Sequence, residues 1–359
     1  MIFIKAIIFI NLYIFAIGIL IIFMDKVISN YGECKVKINN DKEFEEHGGK
    51  TLLKALFENK YFIPSACGGK GTCGYCKLQV PEGGGPALPT EALILNSKEL
   101  REGYRLSCQV KLREDLDVTI PAEYLEIKEY DAVIEQIELA TSDIKKVKIN
   151  LAEDDEINFK PGQYVQIMFD TPDGLDYRAY SIASTPERKN SIELNVKLIP
   201  EGLGSSYVHA KNKNDKIQFS GPYGDFFLRT DSHRKIVCVA GGVGLAPMKS
   251  IIDFWNNNPH GRKCELYYGS RTTKDLYDHE FFVKIAKENP DFSYYPALSD
   301  KDPEWNGECG FIHTVIEKYL EDGANSEAYL CGPEIMINFV TEVLIAKEIP
   351  QERISYDKF

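Results

Sequence analysis

The chain has 359 residues, with 54 acidic and 42 basic side chains and a formal charge of −12 at pH 7. At about 150 residues per domain, this length implies two to three domains. A charged fraction of 27% and a hydrophobic fraction of 44% exclude a disordered chain. The acidic balance argues against a nucleic-acid partner, which needs a basic footprint for phosphate.

The apolar residues are unevenly placed. Ala6 to Met24 carries no charge, and Lys5 and the Asp25–Lys26 pair flank it. At 1.5 Å per residue the run is roughly 28 Å long, close to the thickness of a bilayer core. It is long for a cleavable signal, and no small-residue cleavage site follows it. It is apolar all round, unlike the helix of a soluble core. The expectation is one membrane-spanning anchor within residues 1–28, touching lipid through residues 6–24. Lysines on both sides leave its orientation weakly set.

Past the anchor the texture changes three times. In residues 31–124, Cys34 to Ile38 alternates like a strand, and Thr51 to Glu58 reads as a short helix. A glycine-rich cysteine loop, a Gly/Pro loop over Pro81 to Pro89 and a strand at Leu116 to Ile120 follow. Residues 125–232 hold six strand-like runs, near Val133, Val147, Val165, Tyr180, Leu194 and Ile217, which suggests a six-stranded antiparallel barrel. In residues 233–359 the rhythm becomes strand then helix, from Ile236–Ala240 to Glu334–Ala346. That is the pattern of a parallel sheet flanked by helices. The expected fold class is therefore α+β multidomain.

Chemistry concentrates first in the cysteines. Nine are present, an odd number that does not suggest a disulfide scaffold. Cys67, Cys73, Cys76 and Cys108 follow the spacing C-x5-C-x2-C-x31-C, with Gly68, Gly69, Gly71 and Gly74 among the first three. Four thiolates suit tetrahedral zinc or an iron–sulfur cluster. Three ligands on one glycine loop and a distant fourth favour a 2Fe–2S cluster, since structural zinc usually takes two close pairs. The scattered cysteines, Cys331 excepted, read as small core residues.

The second signal is Arg178-Ala179-Tyr180-Ser181, with Gly202-Leu203-Gly204-Ser205-Ser206-Tyr207 after it. A flavin needs an aromatic face, a hydrogen-bond partner near its reactive nitrogen, and charge and amides for its pyrophosphate. Tyr180, Ser181 and Arg178 suit these needs, with backbone donors from Gly204 to Ser206. Tyr180 also fits as an ordinary strand aromatic. The third signal is Gly241-Gly242-Val243-Gly244-Leu245-Ala246-Pro247, between a strand and a helix, where a dinucleotide pyrophosphate binds. Cys331-Gly332-Pro333 ends another strand, at the edge where a nicotinamide would lie.

The cysteine loop resembles a ferredoxin, and the order of the other two motifs resembles the ferredoxin–NADP reductase superfamily. Taken with the anchor, Gly269-Ser270-Arg271, Ala297-Leu298-Ser299-Asp300 and Cys331-Gly332-Pro333, the chain resembles the family of F subunits of sodium-translocating NADH:quinone oxidoreductases. The resemblance implies a β-grasp 2Fe–2S domain, an FAD barrel and an NADH domain. It implies metal ligands Cys67, Cys73, Cys76 and Cys108, with Arg178, Tyr180, Ser181, Gly204, Ser205 and Ser206 on FAD. Gly242, Gly244, Arg271, Cys331 and Gly332 would hold NADH, and Ser181, Cys331 and Phe359 would surround the hydride position. Electrons would pass from NADH to FAD, to the cluster, and on to membrane subunits or quinone, with the catalytic domains on the cytoplasmic side of the inner membrane. Arg271 leaves NADPH open as an alternative donor. Two rival functions are the reductase of an anchored oxygenase or desaturase, and a non-catalytic flavin redox sensor.

Overall fold

The computed structural model describes residues 2–28, 31–172, 174–258 and 261–358. They form two compact units, Met1–Glu126 and Ile127–Phe359. Phe359, expected at the hydride position, lies outside the described residues.

The first unit begins with a helix over Ile2–Ile28. Its described side chains, residues 8–21 and 24, are exposed apart from half-buried Gly18. Among the described residues no helix is long and apolar enough to cross a membrane. A five-stranded sheet follows: β1 (Glu33–Ile38), β2 (Lys42–His47), β3 (Lys77–Glu82), β4 (Tyr104–Leu106) and β5 (Leu116–Thr119). Their order is β2-β1-β5-β3-β4, with β1 and β5 parallel and the other pairs antiparallel. Alternation in β1 buries Cys34, Val36 and Ile38. The helix Leu52–Glu58 starts at Thr51, whose hydroxyl accepts the Lys54 N–H, and it buries Leu52, Leu53, Ala55, Leu56 and Phe57.

The second unit holds two six-stranded sheets. The antiparallel one contains β6 (Lys128–Leu139), β7 (Ile144–Leu151), β8 (Tyr164–Thr171), β9 (Gly174–Ser181), β10 (Ser191–Lys197) and β11 (Lys216–Tyr223), in the order β10-β7-β6-β11-β8-β9. All six expected strand centres fall inside these strands. The sheet curls until its two edges meet at an Ile182–Leu194 bridge, around a core that includes Ile134, Ile149, Ile167, Leu194 and Phe219.

The parallel sheet contains β12 (Lys235–Gly241), β13 (Cys264–Ser270), β14 (Phe292–Leu298), β15 (Glu308–Cys309), β16 (Ser326–Gly332) and β17 (Ile354–Lys358), in the order β15-β14-β13-β12-β16-β17. β12 is covered on both faces, so Ile236 to Ala240 are all buried without alternation. The sheet order reverses between β12 and β16, which opens a crevice at their carboxyl ends. Cys34, Cys238 and Cys264 are core residues as expected; Cys309 is not, because the edge strand β15 leaves it exposed.

Charge locks the two sheets of this unit together. Lys146 on β7 meets Asp278 at 2.8 Å, and Lys249, on the helix Leu245–Asn257, meets Asp278 at 3.2 Å and Glu193 of β10 at 2.5 Å. Burial pulls the Lys146 ammonium toward neutrality, but Asp278 outweighs it and holds its pKa above the ordinary value. Removing one member of such a group strands its partners away from water. Lys249→Ala is expected to lower unfolding stability by about 3 kcal/mol, read from urea denaturation followed by flavin release. A loss under about 1 kcal/mol would show that the group is solvated and weak.

Candidate functional site

Within the first unit the cysteine loop is a candidate site of its own. Gly68, Gly69, Gly71 and Gly74 all have φ between 61° and 79°, which lets the chain curl tightly between Cys67 and Cys76. A Cβ on Gly74 would meet Ile94 at 2.8 Å. Cys73 Sγ lies 3.4 Å from Cys67 Sγ, and Cys76 Sγ lies 3.2 Å from Cys108 Sγ. Two thiolates on one tetrahedral metal with bonds of ~2.3 Å would stand about 3.8 Å apart. Each pair therefore suits one metal. Among the described residues no three His, Cys, Asp or Glu side chains converge on a single ion. The donor set fits a two-metal cluster better than one zinc.

The surroundings of the sulfurs suit anionic ligands. The Thr72 and Cys73 N–H groups face Cys67, the Tyr75 and Ala66 N–H groups face Cys73, and the Gly71 N–H faces Cys108. The hydrogen bond between Cys73 and Cys67 pulls the Cys67 thiol down to about 3 and, with burial, pushes the Cys73 thiol well above its ordinary value, so only the backbone N–H groups favour thiolate at both. The bond between Cys76 and Cys108 likewise lowers the Cys108 thiol to about 7, while it and burial push the Cys76 thiol far above its ordinary value. Ser65 Oγ, fully buried two residues before Cys67, has no partner in the chain among the described residues. A buried hydroxyl of this kind is a donor in search of an acceptor.

The chain leading to Cys108 is held by a pair that the sequence patterns did not reveal. Arg105 donates Nε and Nη2 to Glu91 at 2.9 and 2.6 Å, and also reaches the Gly84, Gly85 and Pro86 carbonyls. Glu91 also accepts the Leu106 and Leu88 N–H groups. Burial raises the Glu91 carboxyl, but these partners outweigh burial and keep it below the ordinary value. Ser107 then donates both N–H and hydroxyl to the Cys76 carbonyl at 2.9 Å.

Arg178 and Tyr180 project from the same face of β9, with Ser181 on the other. A Cβ on Gly204 would lie 2.5 Å from Arg178 Cγ and 3.0 Å from Tyr180 Oη, so the two expected flavin motifs are in direct contact. Burial pushes the Tyr180 phenol well above its ordinary value and keeps it neutral. Arg178 donates to Asp176 and to the Tyr177 carbonyl, both at 2.6 Å. The Ser206 N–H is used on the Gly202 carbonyl, and the Ser205 hydroxyl accepts the Ile199 N–H. Those two groups therefore shape the turn itself.

At the crevice of the parallel sheet, backbone packs on backbone. A Cβ on Gly244 would fall 2.2 Å from the Cys331 carbonyl oxygen, and one on Gly332 would meet Gly241 N at 3.2 Å. Gly242 has φ 54°. A cavity of about 580 Å³ opens beside this contact, within the range of cofactor sites. Gly241, Gly242, Gly269, Arg271 and Pro333 line it from the parallel sheet, and Thr141 and Lys197 from the barrel. Three further lining rings form a column: His313 stacks on Phe311 at 5.9 Å and on Phe339 at 5.3 Å. No motif marks them, since Phe311 and His313 lie at the start of the helix Ile312–Tyr319 and Phe339 in the middle of the helix Glu334–Ala346. Arg271, whose side chain is mostly exposed, pairs with Asp275 at 3.1 Å. Cys331 is buried and its thiol is pushed well above its ordinary value by burial, so it stays neutral.

Comparison with known proteins finds three family domains along the chain. Residues 36–113 match the family described as 2Fe-2S iron-sulfur cluster binding domain, 131–228 the oxidoreductase FAD-binding domain, and 238–342 the oxidoreductase NAD-binding domain. The F subunit of the Na(+)-translocating NADH-quinone reductase of Neisseria gonorrhoeae is 35% identical over 99% of both chains. Its counterpart in Actinobacillus pleuropneumoniae is 35% identical over 99% of this chain and 98% of its own. A cytochrome P450 reductase of Amycolatopsis superposes with a TM-score of 0.71 at 29% identity, covering 91% of this chain and 98% of that one. A ferredoxin reductase in carbazole 1,9a-dioxygenase gives 0.69 at 27%, with the same coverage.

The Gly244–Cys331 contact makes a direct test. Gly244→Ala is expected to raise KM for the reduced nicotinamide nucleotide at least about tenfold, about 1.4 kcal/mol, while bound flavin is retained. Steady-state oxidation with ferricyanide measures it, and an unchanged KM would place the nucleotide elsewhere.

Proposed function

Since the chain belongs to the family of F subunits of Na(+)-translocating NADH-quinone reductases, we propose that it is the membrane-held entry point for electrons of such an enzyme. It is an NADH-dependent oxidoreductase with FAD, NAD and 2Fe–2S sites, and its role is that of an electron-input module. The flavin supplies the conversion of a two-electron hydride into single electrons, which an iron–sulfur cluster accepts one at a time. The observation that carries the residue-level reading is the sorting of four thiols into two pairs, 3.4 and 3.2 Å across.

In this reading Cys67 with Cys73, and Cys76 with Cys108, each hold one iron, and the amides of the glycine loop offset their negative charge. Arg178 neutralises the flavin pyrophosphate, Tyr180 presents a neutral ring and hydroxyl to the flavin, and Ser181 hydrogen-bonds near its reactive nitrogen. Gly204 gives these groups room. Gly242 and Gly244 bring bare backbone to the nucleotide pyrophosphate, and the column Phe311–His313–Phe339 offers a stacking surface for a nucleotide base. Neutral Cys331 and Gly332 border the nicotinamide, and no side chain is required as a general acid or base. The domains divide at 1–28, 31–124, 125–232 and 233–359.

Residues 6–24 hold the protein in the cytoplasmic membrane as a single span, with the cofactor domains on the side where NADH is found. Electrons leave to the membrane subunits and finally to quinone. The structural likeness to two oxygenase-linked reductases, at 29% and 27% identity, supports the alternative reading in its shared modules. The full-length relatives at 35% favour the quinone-reductase reading.

Two variants test the assignment. Cys76→Ser is expected to abolish the cluster while retaining FAD, measured as lost iron, lost acid-labile sulfide and a lost low-temperature EPR signal. One bound zinc without sulfide in the parent protein would refute the cluster. Deleting residues 1–26 is expected to release the protein from membranes with flavin, cluster and NADH oxidation intact. Loss of flavin on truncation would mean that the segment belongs to a folded domain.

A further inference from the structure

We propose that Gln109 sets the reduction potential of the 2Fe–2S cluster by donating its side-chain amide to the sulfur of Cys108. The inference rests on the reading of Cys108 as a cluster ligand. Gln109 Nε2 lies 3.5 Å from Cys108 Sγ, and 3.4 Å from both the Gly69 and the Cys108 carbonyl oxygens. Its Oε1 accepts the Thr90 hydroxyl at 3.3 Å. These partners fix which end of the amide faces the sulfur, because carbonyl oxygens only accept. The nitrogen must point inward, and Thr90 holds the oxygen outward.

The cysteine loop is built to receive this side chain. A Cβ on Gly71 would lie 2.8 Å from Gln109 Nε2 and 2.9 Å from its Cδ, so the amide lies flat against a glycine with φ 74°. The Gly71 N–H faces the same sulfur. Cys108 thus receives one backbone and one side-chain donor on the half-buried side of the loop. A cluster gains negative charge when it is reduced, and donors to its sulfurs favour the reduced form. Gln109 is a positioning residue in the sense that it acts on the cluster through Cys108.

An EPR-monitored redox titration of the full-length protein, with FAD and cluster bound, tests the proposal. Gln109→Met keeps the length and removes the donor; it is expected to shift the cluster potential negative with iron and sulfide content unchanged. Gln109→Glu replaces the donor by acceptor oxygens and is expected to shift it further in the same direction. Thr90→Val frees the amide and is expected to give a smaller negative shift. An unchanged or more positive potential in both Gln109 variants overturns the proposal. If those variants lose the cluster, an unchanged potential in Thr90→Val overturns it instead. Absence of a cluster from the parent protein would instead refute the ligand reading, so the two failures are distinguishable.

Discussion

Hydride transfer works only at atomic contact, so the barrel and the parallel sheet of the second unit must be held as one block. The group of Lys146, Lys249, Glu193 and Asp278 supplies that constraint. Its members come from β7, from β10, from the helix after the glycine loop and from the start of the next helix. Ser250, one residue beyond Lys249, also donates its hydroxyl to the Ser184 carbonyl at 2.7 Å. The helix that opens at the glycine loop is thereby tied to the segment just after Arg178 to Ser181. A buried charge group of this kind adds little net stability, but its geometry is hard to replace.

Glycine does the complementary work of removing atoms. At the crevice Gly244 lets the β12 loop lie against the Cys331 carbonyl, and at the barrel Gly204 lets a turn lie against Arg178 and Tyr180. In the first unit Gly71 leaves space for the Gln109 amide beside the cluster loop. Each contact brings backbone or a turn against a neighbour that a side chain would push away. The cofactors supply the electron chemistry, and the chain supplies close approach, neutral walls and donors aimed at negative charge.

Much of this was legible in the sequence because the motifs are local. The cysteine spacing, Arg178 to Ser181 and Gly241 to Pro247 each occupy a few consecutive positions, and periodicity placed all six barrel strands. Edge strands were harder to read. β2 is Lys-Glu-Phe-Glu-Glu-His, in which only Phe44 and Glu46 are even half-buried, and two-residue β15 carries no pattern. The Arg105–Glu91 pair, the Lys249 group and the stack at His313 were illegible for another reason. They join residues distant in the chain, and only the assembled topology brings them together.

In the proposed electron path the flavin is reduced before the cluster. Stopped-flow absorbance of the full chain mixed with NADH tests it, because flavin and cluster absorb at separable wavelengths. Flavin absorbance is expected to fall first and cluster absorbance to follow, and the cluster to stay oxidised in protein stripped of flavin. Rapid reduction of the cluster by NADH in flavin-free protein would contradict it.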